Sequence, residues 1–155
     1  MNNGPAKSKR GVNMRTKKVS RFYCDFCKKS GCSGGHIRRH EERCTMNPNR
    51  ICRMCKMVAD GRPQGFLQLK VCELTALLPK AVEIKTRLMG YDHYDSAAIN
   101  AALPALRNAA GDCPACIMAA LRQAGLPVPA ATDFNFTEEC AELWDNINHQ
   151  GDRDE

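Results

Sequence analysis

The chain has 155 residues, about one ordinary domain, and carries 23 Lys and Arg, 17 Asp and Glu, and ten cysteines. Its longest apolar run, residues 115–121, is far shorter than the ~20 residues of a membrane-spanning helix, and its basic, polar beginning lacks the apolar stretch of a secretory signal. The cysteines are too sparse for a disulfide scaffold, and seven stand in metal-type pairs or beside a histidine. We therefore expect a metal-binding protein, with no membrane association, in a reducing compartment inside the cell, the cytoplasm or a nucleus.

The net charge of +6 is unevenly distributed along the chain. Residues 1–62 carry 16 Lys and Arg against 4 Asp and Glu, a net charge of +12, whereas residues 63–155 carry 7 against 13, a net charge of −6. This asymmetry predicts that the first part contacts a polyanion and that the second does not. The alternative interpretation is a solvated basic tail that only aids solubility.

Residues 1–21 are predicted to be a disordered basic arm, because they have few apolar side chains and no acidic ones. The arm carries seven basic residues: Lys7, Lys9, Arg10, Arg15, Lys17, Lys18 and Arg21. The following segment, residues 22–62, is rich in cysteine and basic residues but poor in aliphatic ones. Such a segment needs a metal in place of a hydrophobic core.

The first candidate metal site combines a cysteine pair with a later histidine and cysteine. Two residues separate Cys24 from Cys27, twelve separate Cys27 from His40, and three separate His40 from Cys44. A gap of two lets both thiolates face one ion, and residues 40 and 44 share one face of a helix. Four such ligands complete a closed, structural zinc site, which supplies roughly 10–16 kcal/mol of folding free energy.

Residues 22–44 resemble the classical zinc finger family in its variant with Cys-Cys-His-Cys ligands, and this resemblance implies a ββα fold. Phe22 and Ile37 stand where that family has an aromatic residue and a leucine. The family's central Phe falls on Gly31, and Phe26 is the candidate that compensates for it.

The resemblance also implies that the finger helix enters the DNA major groove with helix positions −1, 3 and 6 facing the bases. These positions are Ser33, His36 and Arg39, and Arg39 is the strong base reader because Arg pairs bidentately with guanine. DNA is the expected target ahead of RNA, and docking of the finger to a protein is the alternative. The predicted phosphate contacts are Lys17, Lys18, Arg21, Lys28, Lys29, Arg38 and Arg43.

Two residues near this site have other possible roles. His36 lies one helical turn before His40 and is the alternative to Cys44 as the fourth ligand. Cys32 matches no ligand position and is predicted to be a spare thiol.

Two further cysteine pairs predict a second metal site. Cys52 and Cys55 have the same spacing as the first pair, and Cys113 and Cys116 follow 57 residues later at the start of a predicted helix. A knuckle combined with a pair at a helix start resembles the treble-clef type of zinc site. The resemblance implies a second zinc ion that clamps a helical insertion, so that the chain binds two zinc ions.

Two other interpretations of these pairs are open at this point. The Cys-Pro-Ala-Cys sequence of residues 113–116 resembles the redox motif of thioredoxins, which requires a preceding strand. The four ligand pairs in chain order are also similar to a RING-type cross-brace, although the linkers of seven and 57 residues depart from that pattern. Cys72 and Cys140 are expected to pack in the core, and Cys72 is an alternative ligand.

Helical periodicity dominates the remainder, and the sequence has no long strand pattern. The helix predicted from Ile99 to Ala110 is expected to be capped by Asp95 or Ser96, kinked or split at Pro104, and ended by Gly111. Three apolar series have helical spacing: Leu67, Val71, Leu74 and Leu78; Ala81, Ile84 and Leu88; Ile99, Leu103, Leu106 and Ala110.

Two more helices are predicted nearer the end of the chain. One spans residues 113–124 and ends at Gly125, and a loop over residues 126–136 leads to the other. Thr137 is expected to cap this last helix. Its predicted apolar face consists of Cys140, Leu143, Trp144 and Ile147.

These patterns predict a mainly α protein, in which a zinc-stabilised ββα-like finger precedes a helical domain clamped by a second, four-cysteine zinc site. The predicted boundaries are 1–21 for the arm, 22–48 for the finger, 49–125 for the four-cysteine site with its insertion, and 126–155 for the loop, last helix and acidic tail.

The sequence predicts a binding protein and not an enzyme. We expect zinc-dependent nucleic-acid binding in a regulatory or accessory role, with a helical part that dimerises or recruits a protein partner. One alternative is a protein-interaction adaptor. Another is a zinc-knuckle nuclease, suggested by Asp92 and His93, which otherwise form a polar turn between helices. In overall style the chain is similar to small zinc-finger proteins of phages and prophages.

Overall fold

The computed structural model describes residues 17–57 and 70–150, which are about half helical and include two small antiparallel sheets. The remaining residues, which include most of the basic arm, the start of the apolar series at Leu67 and the acidic tail, lie outside the described residues. The helices and strands are β1 (Phe22–Tyr23), β2 (Ser30–Gly31), α1 (Gly34–Glu41), α2 (Arg53–Met57), α3 (Val71–Leu74), β3 (Ile84–Leu88), β4 (Tyr91–Tyr94), α4 (Ala97–Ala110), α5 (Pro114–Gln123) and α6 (Phe136–Gln150).

The finger consists of a two-stranded hairpin followed by α1, the ββα order that the resemblance implied. In the hairpin, Phe22 pairs with Gly31 and Tyr23 pairs with Ser30. The Phe22 ring lies against the start of α1 at Gly34, where a Cβ atom would come within 3.1 Å of the ring. Glycine at residue 34 is therefore what lets β1 and α1 approach each other.

One hydrophobic core joins α3, α4, α5 and the chain that follows α5. The apolar series of α4 is buried along its whole length, which confirms the predicted inner face of that helix. The core continues to Phe134, so that the segment after residue 125 packs with the preceding helices. The largest fully buried aliphatic side chains are Leu74, Ile99, Leu106, Ile117 and Leu121, each worth roughly 1.5–3 kcal/mol of burial free energy.

Strands β3 and β4 form a hairpin where the sequence predicted helix, so the helical series from Ala81 to Leu88 is wrong. Met89 and Gly90 form the two-residue turn with φ angles of 50° and 83°. This left-handed geometry matches the twist of the two strands, and the β-branched and aromatic residues on either side favour strands. The local turn thus outweighs the helical spacing of three apolar residues.

Ion pairs brace the hairpin. Arg87 Nε lies 2.5 Å from Asp92 Oδ1, and Lys85 Nζ lies 3.1 Å from Asp95 Oδ1. Asp92 and His93 lie on strand β4. The polar turn between helices that the sequence predicted at this point is therefore wrong.

Helix α4 is continuous through Pro104, so the predicted split is wrong. The burial of Leu103 and Leu106 on either side holds the helix in place although the proline lacks an N–H. Asp95 is the side chain that caps α4, because its Oδ1 accepts the Ala97 N–H at 3.1 Å. Gly111, with φ 59°, ends the helix as predicted.

The last two helices start differently from each other. Cys113 is the N-cap of α5 and Pro114 its first residue, and Gly125, with φ 71°, follows the helix as predicted. For α6 the cap is Asn135, whose Oδ1 accepts the N–H groups of residues 137 and 138 at 3.1 and 3.3 Å. The predicted capping by Thr137 is therefore wrong, since Asn135 offers the same acceptor two residues earlier.

A two-point ion pair fastens α6 to α4. Arg107 Nη1 and Nη2 lie 2.8 and 2.7 Å from the two carboxylate oxygens of Glu139. Arg107 also donates to the Asp133 carbonyl at 3.2 Å. The hydrogen bonds to Glu139 raise the pKa of Arg107, so the guanidinium stays charged.

Substitution of Glu139 by Gln is expected to lower the free energy of unfolding by about 1–2 kcal/mol, because a charge-assisted pair of hydrogen bonds is lost. Glu138→Gln is the matched control, since the exposed Glu138 shares the first turn of α6 and its interaction with the helix dipole. Urea unfolding measures both variants. Equal losses for the two substitutions would show that the dipole, and not the ion pair, stabilises α6.

Candidate metal centres

The first cluster brings the predicted ligands of the finger together. The Sγ atoms of Cys24, Cys27 and Cys44 and a ring nitrogen of His40 all lie within 4.8 Å of one another. The cysteine pair lies on the turn between β1 and β2, and His40 in the last turn of α1 places Nε2 3.2 Å from Cys27 Sγ. Cys44 lies in the turn after α1, which ends at residue 41, and not on the helix as predicted.

The metal ligands themselves form the interior of the finger. Cys24, Cys44 and Ile37 are its buried residues, and the Ile37 side chain fills the space beside Gly31. Phe26 stays 40% exposed, so the prediction that it compensates for the missing central Phe is wrong. Because three buried side chains cannot stabilise a fold alone, a bound metal has to supply the rest.

In the metal-free finger cluster, the surroundings of the thiols shift the pKa values of Cys27 and Cys44 in opposite directions. The Lys29 N–H donates to Cys27 Sγ at 3.4 Å and, with His40, lowers the pKa of Cys27 to about 7. Burial raises the pKa of Cys44 to about 11. Of these two thiols Cys27 is therefore the more readily deprotonated, and a metal ion that binds Cys44 must displace its proton.

The second cluster joins two cysteine pairs that lie far apart in the sequence. The Sγ atoms of Cys52, Cys55, Cys113 and Cys116 all lie within 4.8 Å of one another. Two of the distances across the cluster are 3.7 Å, between Cys52 and Cys113, and 3.4 Å, between Cys55 and Cys116. In a tetrahedron with Zn–S bonds of ~2.3 Å, sulfur atoms lie about 3.8 Å apart, so the cluster has the dimensions of a zinc site.

Both pairs of the second cluster lie at the beginnings of helices. Cys52 directly precedes α2, which contains Cys55. The dipole of α5 favours thiolates at Cys113 and Cys116 in its first turn. Hydrogen bonds from Cys113 and the other thiols lower the pKa of Cys52, and those with Cys116 and Cys52 raise that of Cys113. Without a metal, the interactions among the thiols thus outweigh the helix dipole at Cys113, and Cys52 is deprotonated more readily than Cys113.

The donor sets of both clusters fit zinc. Thiolate and imidazole are preferred zinc ligands, and four of them complete a tetrahedral shell with no position open for a substrate. All ten cysteines lie in the described part of the chain, and none forms a disulfide. The chain therefore carries two candidate structural zinc sites, as the spacing predicted.

The clusters also decide between the alternative ligand sets. Each cluster joins neighbouring pairs, the first with the second and the third with the fourth, so a cross-brace, which alternates them, is wrong. His36 is exposed outside the first cluster, which contains Cys44. Cys72 is exposed because the single turn of α3 buries only its first and last residues, so its predicted core position is wrong. Cys140 is half-buried and Cys32 exposed.

A short linker, residues 45–51, joins the two clusters and lies against α5. Gln123 Nε2 donates to the carbonyls of Thr45 and Asn47 at 2.8 and 3.0 Å. Asn47 is buried and donates in turn to the Glu41 carbonyl at 2.7 Å. These hydrogen bonds attach the finger directly to the helix that carries half of the second cluster.

Arg50 extends from this linker into the second cluster. Its Nη1 donates to the Ala115 carbonyl at 3.2 Å and to Cys116 Sγ at 3.8 Å, and its Nε is buried without a hydrogen-bond partner among the described residues. Four thiolates around Zn²⁺ leave excess negative charge, which a guanidinium stabilises from outside the ligand shell. Neither Arg50 nor Gln123 was predicted from the sequence, where the one available signal was the position of Arg50 between two ligand pairs.

The predicted nucleic-acid contacts lie on the open surface of the finger. Helix α1 begins at Gly34, so Ser33, His36 and Arg39 occupy the predicted positions −1, 3 and 6. Ser33 is also the N-cap, and its Oγ accepts the His36 N–H at 3.4 Å. Arg43 is half-buried, and the other predicted phosphate contacts are exposed: Lys17, Lys18, Arg21, Lys28, Lys29 and Arg38.

A basic groove runs between β2 and α1. Three of its lining side chains are Lys or Arg and two are His, and no carboxylate lines it. We call this surface the basic groove; its lining residues are Lys29, Ser30, Gly31, His36, Ile37, Arg39, His40 and Arg43.

The residues of the two enzymatic alternatives have structural partners. The Arg87 hydrogen bond lowers the pKa of Asp92, and this ion pair engages the carboxylate that a nuclease would use. Helix α4, and not the strand of a thioredoxin-like motif, precedes Cys113, which belongs to the four-thiol cluster.

No known protein family, curated protein or solved structure matches this chain. Within the described ranges, every helix is too short or too polar to cross a membrane. The two clusters and the basic groove are therefore the features from which a function follows.

Replacement of Arg50 by Met is expected to weaken zinc binding at the four-cysteine cluster roughly 10-fold, because outer-shell partners of metal ligands typically contribute that much affinity. Arg53→Met is the matched control, since Arg53 stands beside the same ligands but is exposed. Competition with a chromophoric chelator measures both. If both variants lose the same affinity, the effect is one of general charge and the contact with Cys116 is irrelevant.

Proposed function

We propose that this protein is a zinc-stabilised nucleic-acid-binding protein with a regulatory or accessory role, and that DNA is its target ahead of RNA. The single observation that carries the proposal is the basic groove, which offers cations and no carboxylate to a ligand. A polyanion is the ligand that such a surface favours, since its phosphates release counterions when they meet Lys and Arg.

The charge along the chain supports the same proposal. The exposed residues Lys17, Lys18 and Arg21 lead directly into β1, so the basic arm begins next to the finger. Arg39 and His36 stand at the helix positions from which related fingers contact bases. The helical part carries the opposite net charge and does not compete for the same ligand.

A protein-interaction adaptor is the second candidate, and exposed apolar residues favour it. Trp144 on α6 is 44% exposed, and Met89 and Tyr91 at the tip of the β3–β4 hairpin are 91% and 75% exposed. Such side chains are enriched where proteins meet partners. None of these three residues lines the basic groove, so the two candidate functions use different residues.

Nucleic-acid binding is expected to weaken steeply with salt, by roughly 10³-fold between ~50 and ~200 mM if about six phosphates are contacted. Deletion of residues 1–21 removes seven of the cations, and Arg39→Gln removes a groove cation; both lower the slope. Lys80→Gln on the helical part, an exposed cation far along the chain, is the control and leaves the slope unchanged. Fluorescence anisotropy with labelled DNA and RNA measures the series.

A flat salt response, or no binding at low salt, contradicts the proposal and favours the adaptor. Zinc content and circular dichroism of each variant establish that the finger stays folded, so a lost slope reports lost phosphate contacts.

A further inference from the structure

We infer that the finger binds single-stranded nucleic acid, with an unpaired base stacked on the ring of Tyr23 and the adjoining phosphates in the basic groove. This inference rests on the proposed function and names the strand state that the same surface recognises. It depends on the aromatic residues of the finger, which the zinc cluster does not use.

All three aromatic side chains of the finger are exposed to solvent. Phe22, Tyr23 and Phe26 are 44%, 65% and 40% exposed, whereas Phe134 of the helical core is buried. The finger does not need these rings inside, because the metal ligands and Ile37 fill its interior. Three exposed rings lie within five residues, and each offers a face that a flat apolar ligand can cover.

Tyr23 is the ring that is best placed to receive a base. Side chains alternate along a strand, and Phe22 packs against the start of α1, so Tyr23 projects from the opposite face of the hairpin. Ser30 is its partner across the hairpin and also lines the basic groove. Tyr23 is therefore one strand away from a residue that lines the groove, and paired strands lie about 5 Å apart.

Cationic residues flank Tyr23 along the chain. A hydrogen bond of 2.9 Å from the Cys24 N–H to the Lys29 carbonyl closes the turn that carries Lys28, and the exposed Arg21 directly precedes β1. Lys29 both follows this turn and lines the groove. Aromatic platforms edged by Lys and Arg are the arrangement with which proteins bind single strands, since every base has a face to stack.

The finger helix, by contrast, offers little to a duplex. Its first two residues are Gly34 and Gly35, so the beginning of the helix has no side chains to offer, and the Phe22 ring lies beside Gly34. The hydroxyl of Ser33 is engaged in capping the helix. His36 and Arg39 alone remain for base edges in a major groove. In a duplex the base faces are covered by their neighbours, so Tyr23 could not stack on them.

The test uses the full-length, zinc-loaded protein and a fluorescent single-stranded DNA of about 12 nucleotides, an RNA of the same sequence, and the corresponding DNA duplex. Tyr23→Ala is expected to weaken binding to both single strands by roughly 5- to 150-fold, the loss of one stacked base. Tyr23→Phe keeps the ring and is expected to stay within about twofold of the parent.

Tyr91→Ala is the matched control, because Tyr91 is also exposed but lies on the β3–β4 hairpin outside the finger. Tyr91→Ala is expected to leave binding to all three nucleic acids unchanged. The duplex is expected to bind more weakly than either single strand and to be insensitive to Tyr23→Ala. Zinc content of each variant shows that the finger remains folded.

The inference is overturned if the duplex binds at least as tightly as the single strands, or if Tyr23→Ala binds like the parent. If in that case Arg39→Gln still lowers the salt dependence, the proposed function stands and only the strand state is wrong. If none of the three nucleic acids binds, both the inference and the proposed function fail. A loss with Tyr91→Ala equal to that with Tyr23→Ala also overturns the inference.

Discussion

The four-thiol cluster at the start of α5 is the constraint on which the rest of the structure depends. Cys113 and Cys116 are fully or almost fully buried at one end of the hydrophobic core, and Cys52 and Cys55 pack against that core from the other side of the cluster. A metal ion here connects residues 61 positions apart. Because like-charged thiolates repel one another, four thiolates are stable at this site only around a cation.

The position of the finger on the helical body depends on contacts beside this cluster. Arg50 contacts Cys116, and Gln123 of the same helix holds the linker between the two sites. The finger is thereby attached to the helical body through the linker that follows Cys44. Its helix α1, the basic groove and Tyr23 face outward. Under the proposed function, one finger with a basic groove is expected to contribute modest affinity in an accessory role, since one finger buries too little area for high sequence specificity.

Ligand spacing made the metal sites predictable, whereas the elements between them were only partly so. Pairs separated by two residues can face one ion in any fold, and this local rule placed six of the eight ligands; the three-residue gap between His40 and Cys44 placed the other two. The β3–β4 hairpin was missed because its signal is the φ of Met89 and Gly90, a conformation that apolar spacing does not report. Arg50 and Gln123 act through contacts 65 or more positions away, which no local pattern encodes.

X-ray absorption at the zinc edge, combined with metal analysis of protein purified without added zinc, tests most directly whether two zinc ions hold this chain together. The expected result is two zinc ions per chain that share seven sulfur ligands and one nitrogen, with bonds of about 2.3 and 2.0 Å. Cys116→Ser should retain the one zinc of the finger. A single zinc in the parent protein, or a shell rich in oxygen, would contradict the two closed sites.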